Sequence, residues 1–167
     1  VVGEDLPGVD QASPTEEQFH FMRSQYRHLI VGKSNIHGLG LFCSRRLVKG
    51  ELVIEYTGEL VRDLVADLRE GTYRERGMGT YFFRLNEELV VDSSQKSNRA
   101  RFLNHSCKPN LIAKRLVVEG RDVLVLVAQQ RIERFAELTL NYQLPLEEGS
   151  NKILCLCKRP GCRRYLN

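Results

Sequence analysis

Three cysteines, Cys155, Cys157 and Cys162, fall close together near the end of the chain. In a chain without a visible secretion signal, such spacing reads as reduced thiolates on a metal. The total of five cysteines is odd, which argues against a closed disulfide framework. A structural zinc ion takes four ligands in a tetrahedron, so one more must come from elsewhere. Cys43 lies in an apolar stretch, where a free cysteine behaves as a small hydrophobe. Cys107 precedes Lys108-Pro109-Asn110, a turn that can present a thiolate, and is the favoured ligand. A site of Cys107, Cys155, Cys157 and Cys162 would be closed to water and therefore structural rather than hydrolytic. It would draw the tail back onto the middle of the chain and bring Tyr142 beside Asn104 and His105.

The elements that must hold these residues are mostly short strands. Strand signals run through Leu41–Cys43, Leu52–Tyr56, Thr80–Leu85, Leu89–Asp92, Asn110–Glu119, Val123–Ala128 and Glu137–Tyr142. Lys49-Gly50 and Gly120-Arg121-Asp122 mark turns. Leu64, Val65, Leu68 and Thr72 fall at helical spacing, which predicts a helix over Asp63–Tyr73, ended by Gly77 and Gly79. Phe19–Leu29 reads as a short helix or cap, Gly32–Gly40 as a loop, and Ala100–Asn104 as a short helix or turn. Residues 1–18 lack a periodic apolar pattern and read as a flexible leader. The chain starts at Val1 rather than methionine, which suggests an excised domain. With 167 residues, 42% of them hydrophobic, one domain can bury a real core. No run of roughly 18 apolar residues indicates a transmembrane helix, so no membrane role is expected. The net charge of +4 permits nucleic-acid contact without demanding it. Lys152, Lys158, Arg159, Arg163 and Arg164 gather the positive charge at the tail, as a solvated face or as a contact to an acidic surface such as DNA.

Several segments together carry a family resemblance: His37-Gly38-Leu39-Gly40-Leu41-Phe42, Val53-Ile54-Glu55-Tyr56-Thr57-Gly58-Glu59, Arg101 to Asn110, Glu137-Leu138-Thr139-Leu140-Asn141-Tyr142 and the cysteine tail. In this order and spacing they resemble the SET-domain lysine methyltransferases, with the tail resembling the post-SET module. The likeness covers roughly residues 25–167. Gln25–Leu29, Tyr81–Arg84 and Cys162–Asn167 look most like the trithorax and mixed-lineage-leukaemia group, which methylates the fourth lysine of the histone H3 tail. The resemblance implies a mostly β fold of short curved sheets with a knot-like C-terminal threading, one inserted helical segment and a zinc-bound tail. It divides the chain into an N-terminal flanking segment at 19–30, a SET domain at 31–146 with its insert helix at about 61–77, and a post-SET module at 147–167. In that group the SET domain ends the parent protein, so Asn167 would be a true C-terminus.

The implied chemistry is methyl transfer from S-adenosylmethionine to a lysine amine, mainly a positioning problem. The amine must arrive neutral, which an apolar channel and an adjacent sulfonium both favour. By resemblance, His37, Gly38, Leu39 and Gly40 line the cofactor pocket, and Asn104 meets the cofactor's amino-acid end. His105 contacts the adenine largely through its backbone. Tyr142 is the catalytic tyrosine, Tyr56 and Tyr81 line the lysine channel, and Tyr165 closes over the cofactor. Each reading competes with a plain one: turn glycines, a satisfied structural histidine, core or surface aromatics. Glu59, Asp63, Glu87 and Glu88 are available to border a groove for a basic tail. The resemblance also implies a nuclear, chromatin-bound protein acting on the H3 tail and nucleosome, with WD-repeat and other adaptor subunits positioning the helical insert.

The sequence departs from the family pattern in places. Leu140 stands where Phe or Tyr is usual, two residues before Tyr142, and its smaller, hydroxyl-free side chain suggests a pocket open to di- or trimethylation. Asn141 and Gln143 replace commoner residues, Ser97 and Lys158 stand where glycine is frequent, and Leu111 stands where close relatives carry cysteine. Three rival readings remain: a methyltransferase for another protein lysine, a catalytically silent SET module acting as a binding scaffold, and a zinc-knuckle nucleic-acid binder.

Overall fold

The computed structural model describes residues 14–167. Of the expected leader, residues 1–13 lie outside the described residues. Its last part is structured, because helix α1 (Glu16–Ser24) begins inside it. Thr15 caps this helix reciprocally with Gln18, and the acids Glu16 and Glu17 suit its first turn. The helix buries Phe19 and Met22 one turn apart on a single face.

Among the described residues, ten strands build three small sheets. The first runs β1 (Leu29–Lys33), β2 (Leu39–Cys43), β10 (Glu137–Leu140) and β7 (Asn104–His105). The second runs β3 (Leu52–Glu55), β9 (Arg121–Ala128) and β8 (Leu111–Val118). The third runs β4 (Glu59–Arg62), β6 (Leu89–Asp92) and β5 (Phe82–Arg84). The expected loop at Gly32–Gly40 is therefore partly sheet: Gly32 pairs with Gly40 across a β1–β2 hairpin. The turn between β8 and β9 is Glu119-Gly120, both at positive φ, and Arg121 already belongs to the strand. That conformation matches the twist of the paired strands and suits glycine at its second position.

Strand β9 shows how one sheet serves two cores. Alternate side chains leave opposite faces of a strand. Leu124, Leu126 and Ala128 join the main core with Leu29, Leu41, Leu103, Leu111, Leu138 and Leu140. Val125 and Val127 face the other way, onto Phe19 and Met22 of α1. A strand buried on both faces reads as an unbroken apolar run, as Val123–Ala128 does.

Helix α2 (Asp63–Glu75) is present, but the apolar residues that predicted it are not its packed face. Leu64 and Leu68 are 78% and 74% exposed, whereas Ala66 and Tyr73 are buried. The inward face adds charge to a small apolar cluster, Ala66 with Val61, Val90 and Phe82. Arg69 donates to Asp92 of β6 at 2.9 Å and to Glu59 of β4 at 3.2 Å. Asp92, almost wholly buried, also accepts from the Tyr73 hydroxyl at 3.1 Å and the Ser94 amide at 2.9 Å. No described helix is long and apolar enough to cross a membrane.

Burial by itself would push the Asp92 carboxyl up, but Arg69, the Ser94 amide and Tyr73 more than offset it and hold it below its ordinary range. Stability contributed this way is present above the unfolded pKa of about 3.9 and lost as pH falls through the lower folded value. Arg69→Met leaves the carboxylate buried without its cation and is expected to cost about 3 kcal/mol at neutral pH in urea unfolding. The gap to wild type should narrow as pH falls and close once pH drops below the lowered folded pKa of Asp92, where the carboxyl is neutral in both proteins.

Candidate active site

The site is assembled where β10 meets β7. The two run parallel, Thr139 opposite Asn104 and Leu140 opposite His105. Asn110 secures this junction: its Nδ2 donates to the Glu137 carbonyl at 2.8 Å and its Oδ1 accepts from the Thr139 amide at 2.8 Å. Strand β10 stops at Leu140 rather than at Tyr142, because the Tyr142 amide turns to donate to His105 Nδ1 at 3.2 Å.

That bond fixes the tautomer of His105. With Nδ1 accepting, the proton sits on Nε2, which lies 3.4 Å from the Cys107 sulfur. Burial first, and then the nearby Arg163 charge, push the imidazole down to about 4. It is therefore neutral at physiological pH with both nitrogens engaged, which leaves no free lone pair for general-base work.

The four cysteines named from sequence converge. The sulfurs of Cys107, Cys155, Cys157 and Cys162 all lie within 4.8 Å of one another. Cys107 is 3.6 Å from Cys155 and 3.8 Å from Cys162. Thiolates about 2.3 Å from a central ion in a tetrahedron stand about 3.8 Å apart, so the set fits one metal ion. Backbone amides of Arg163 and Arg164 point at the Cys107 and Cys162 sulfurs, both at 3.4 Å, as suits thiolate charge. Cys43 is elsewhere, buried in β2 with its thiol against the Glu133 carbonyl at 3.3 Å. Its burial raises the thiol pKa, as fits an unligated core residue.

Tyr142 exposes 38% of its surface, yet its hydroxyl donates inward to the Leu103 carbonyl at 2.7 Å. Its ring stands edge-on to His105, 5.3 Å between centroids. Burial raises its phenol well above the ordinary value, and the neighbouring Tyr56 and Tyr81 phenols add to the shift. Tyr56 is likewise pushed up to about 12 by burial, and packs against Phe83 at 5.4 Å. Tyr81 is half-exposed, with the Arg101 guanidinium 4.7 Å from its ring centroid. The three tyrosines thus share one neighbourhood, and the Tyr56 and Tyr142 phenols stay protonated in ordinary buffers. Leu140 is buried in the main core, its carbonyl accepting the Ser106 amide at 3.0 Å.

The segment before β2 folds around a few polar atoms. Asn104 Nδ2 lies 3.0 Å from the His37 and Leu39 carbonyls and 2.9 Å from Glu137 Oε1. Three acceptors around it identify this atom as the nitrogen. Asn104 Oδ1 has no hydrogen-bond partner among the described residues. His37 and Leu39 are exposed, and Gly38 holds φ +51 with open space where a side chain would start. Tyr165 bridges to Leu154 within the tail, with the Lys152 ammonium 5.4 Å from its ring. Of the acids considered for a groove, Glu59 pairs with Arg69 and Asp63 with Arg84, while Glu87 and Glu88 are exposed. Sequence reasoning passed over Glu137, Ser34 and Arg101. Glu137 was visible only as the first letter of its motif.

Residues 38–143 match the family model described as SET domain. The chain belongs to the SET-domain family. It is 44% identical over 148 residues to the human protein named histone-lysine N-methyltransferase 2B, covering 89% of this chain and 6% of that protein. It is 45% identical over 151 residues to a Schizosaccharomyces pombe protein named histone-lysine N-methyltransferase, H3 lysine-4 specific, covering 90% and 16% respectively. Against Drosophila melanogaster trithorax, also a histone-lysine N-methyltransferase, it is 39% identical over 161 residues, covering 96% and 4%. The chain therefore spans only a small part of the length of these relatives.

Tyr142→Phe removes the bond to Leu103 but keeps the ring against His105. We expect a stability loss of about 1 kcal/mol in denaturant unfolding, with the fold retained.

Proposed function

We propose that this domain transfers methyl groups from S-adenosylmethionine to a lysine of the histone H3 tail, the fourth residue being the favoured target. The convergence of Tyr142, His105 and the four-sulfur cluster at the β7–β10 junction carries this reading. The names of the related proteins support the choice of substrate.

The cofactor reading rests on Asn104, whose nitrogen is held by carbonyls of His37 and Leu39 while its oxygen is left to accept from an ammonium. When bound, S-adenosylmethionine supplies an electrophilic methyl group on a sulfonium. His37, Gly38, Leu39, Gly40, Asn104 and His105 would hold it, with Tyr165 closing from the tail. Tyr142 acts by orientation rather than as a base, since burial keeps its phenol protonated. Tyr56 and Tyr81 wall a lysine channel whose low polarity favours the neutral amine. Cys107, Cys155, Cys157 and Cys162 hold a structural zinc ion. We place the domain at chromatin in the nucleus, working with WD-repeat and adaptor subunits. The exposed Lys158, Arg159 and Arg164 of the 147–167 module are free to touch nucleosomal DNA, a contact that salt would weaken steeply.

Labelled S-adenosylmethionine and H3 peptides, read by mass spectrometry, test the activity. Transfer to the fourth lysine should fall about 100-fold or more in Tyr142→Phe, because catalysis here is chiefly alignment. Modification of a different lysine would move the substrate assignment. Cofactor binding without transfer, even with adaptors present, would favour a binding scaffold. Leu140 leaves room for a second and third methyl, so the highest product state should exceed monomethyl-lysine; monomethylation alone would refute that role.

Zinc removal gives a separate check. Chelation should release one zinc per chain and open residues 147–167 to protease while the sheets stay protected. Cys155→Ser should reproduce this, because three ligands no longer close the site.

A further inference from the structure

We infer that Glu137 is a positioning residue that clamps the Ser34–Gly40 segment into its binding shape. The inference rests on the cofactor reading above. Glu137 opens β10 beneath that segment, and its Oε1 accepts two donors from different parts of the chain. Ser34 Oγ donates at 2.7 Å and Asn104 Nδ2 at 2.9 Å.

Each donor is itself fastened to the loop. Ser34 Oγ accepts from the Ile36 amide at 2.8 Å and the His37 amide at 3.2 Å, and the Ser34 amide donates to the Gly38 carbonyl at 3.0 Å. Asn104 reaches the His37 and Leu39 carbonyls. Backbone groups on both sides of Gly38 thus trace back to one carboxylate oxygen. A hydroxyl that accepts two amides has one proton, and Glu137 is where that proton goes.

Gly40 reports how close the carboxylate comes. A Cβ added there would lie 2.5 Å from Glu137 Oε1 and 3.1 Å from the Ser34 Cβ. Glycine at this position lets the carboxylate pass beneath the backbone undisturbed, and a side chain there would have to push the Glu137 head group aside. Charge-assisted hydrogen bonds of this kind are about twice as strong as neutral ones, so one carboxylate can hold the whole segment.

The test separates clamp from cofactor reading. Hydrogen exchange at the Ile36 and His37 amides, measured without cofactor, should speed up about tenfold in Glu137→Ala and much less in Glu137→Gln, which keeps an acceptor. Affinity for S-adenosylmethionine by calorimetry should fall about tenfold or more in Glu137→Ala, and be largely rescued in Glu137→Gln. Ser34→Ala combined with Glu137→Ala should add little to either single change, because both break one network. Unchanged exchange at Ile36 and His37 would overturn the clamp. Faster exchange with unchanged cofactor affinity would overturn the positioning role. Absence of cofactor binding by the wild-type domain would instead overturn the cofactor reading and, with it, the positioning role, and the exchange result would then judge the clamp alone.

Discussion

Everything at this site hangs from a parallel pairing only two residues long, Asn104 and His105 against Thr139 and Leu140. Parallel ladders are a little weaker per residue than antiparallel ones, and so short a ladder cannot support itself. Asn110 therefore bonds to both Glu137 and Thr139 from the side, and the Ser106 amide adds one more bond to Leu140. Once the strands are held, each neighbour follows. Asn104 faces the Ser34–Gly40 segment, His105 faces Tyr142 on one side and Cys107 on the other, and Cys107 faces the tail.

The molecule divides its stabilising forces by location. Apolar burial dominates around β9, where leucines and valines fill both faces. The third sheet and α2 share a smaller apolar cluster of Val61, Ala66, Val90 and Phe82, add the Asp92–Arg69 pair to it, and leave Leu64 and Leu68 in solvent. A helix fastened through a small cluster and a few polar atoms can shift with less loss than one set into a large packed core. Such a helix suits a region whose placement other subunits are proposed to control.

The four-cysteine cluster was legible because ligand chemistry is written in residue type: three closely spaced sulfurs announced a site, and the turn at Cys107 against the apolar setting of Cys43 pointed to the fourth. Strands β8 and β9 were legible through their length and branched residues. Helix α2 was found for a reason its packing contradicts, since periodicity reveals a helix without saying which face is inward. Strand β1 and the start of α1 were missed. Glycines at 32 and 40 read as loop punctuation, and the Thr15–Gln18 capping pair was overlooked beside a polar leader. Glu137 was beyond reach because its partners, Ser34 and Asn104, lie 103 and 33 residues away. Lys158, by contrast, shows a sequence oddity with a physical meaning: it stands where the family often has glycine, and its φ is +51.

The tail closes on itself as well as on the core. Asn167 accepts from the Ile153 amide at 2.7 Å and donates to the Asn151 carbonyl at 3.1 Å, and the Cys155 amide meets the Arg164 carbonyl at 2.7 Å. The last residues of the chain thus complete a site whose other parts were laid down some sixty residues earlier, at Asn104 to Cys107. During synthesis, no growing chain has a finished site until residues 162–167 have been added. Loss of Cys162 to Asn167 would spare every strand of the three sheets and leave the four-sulfur cluster short of one sulfur. A lesion in this segment would therefore act on the same site as one at Asn104 to Cys107.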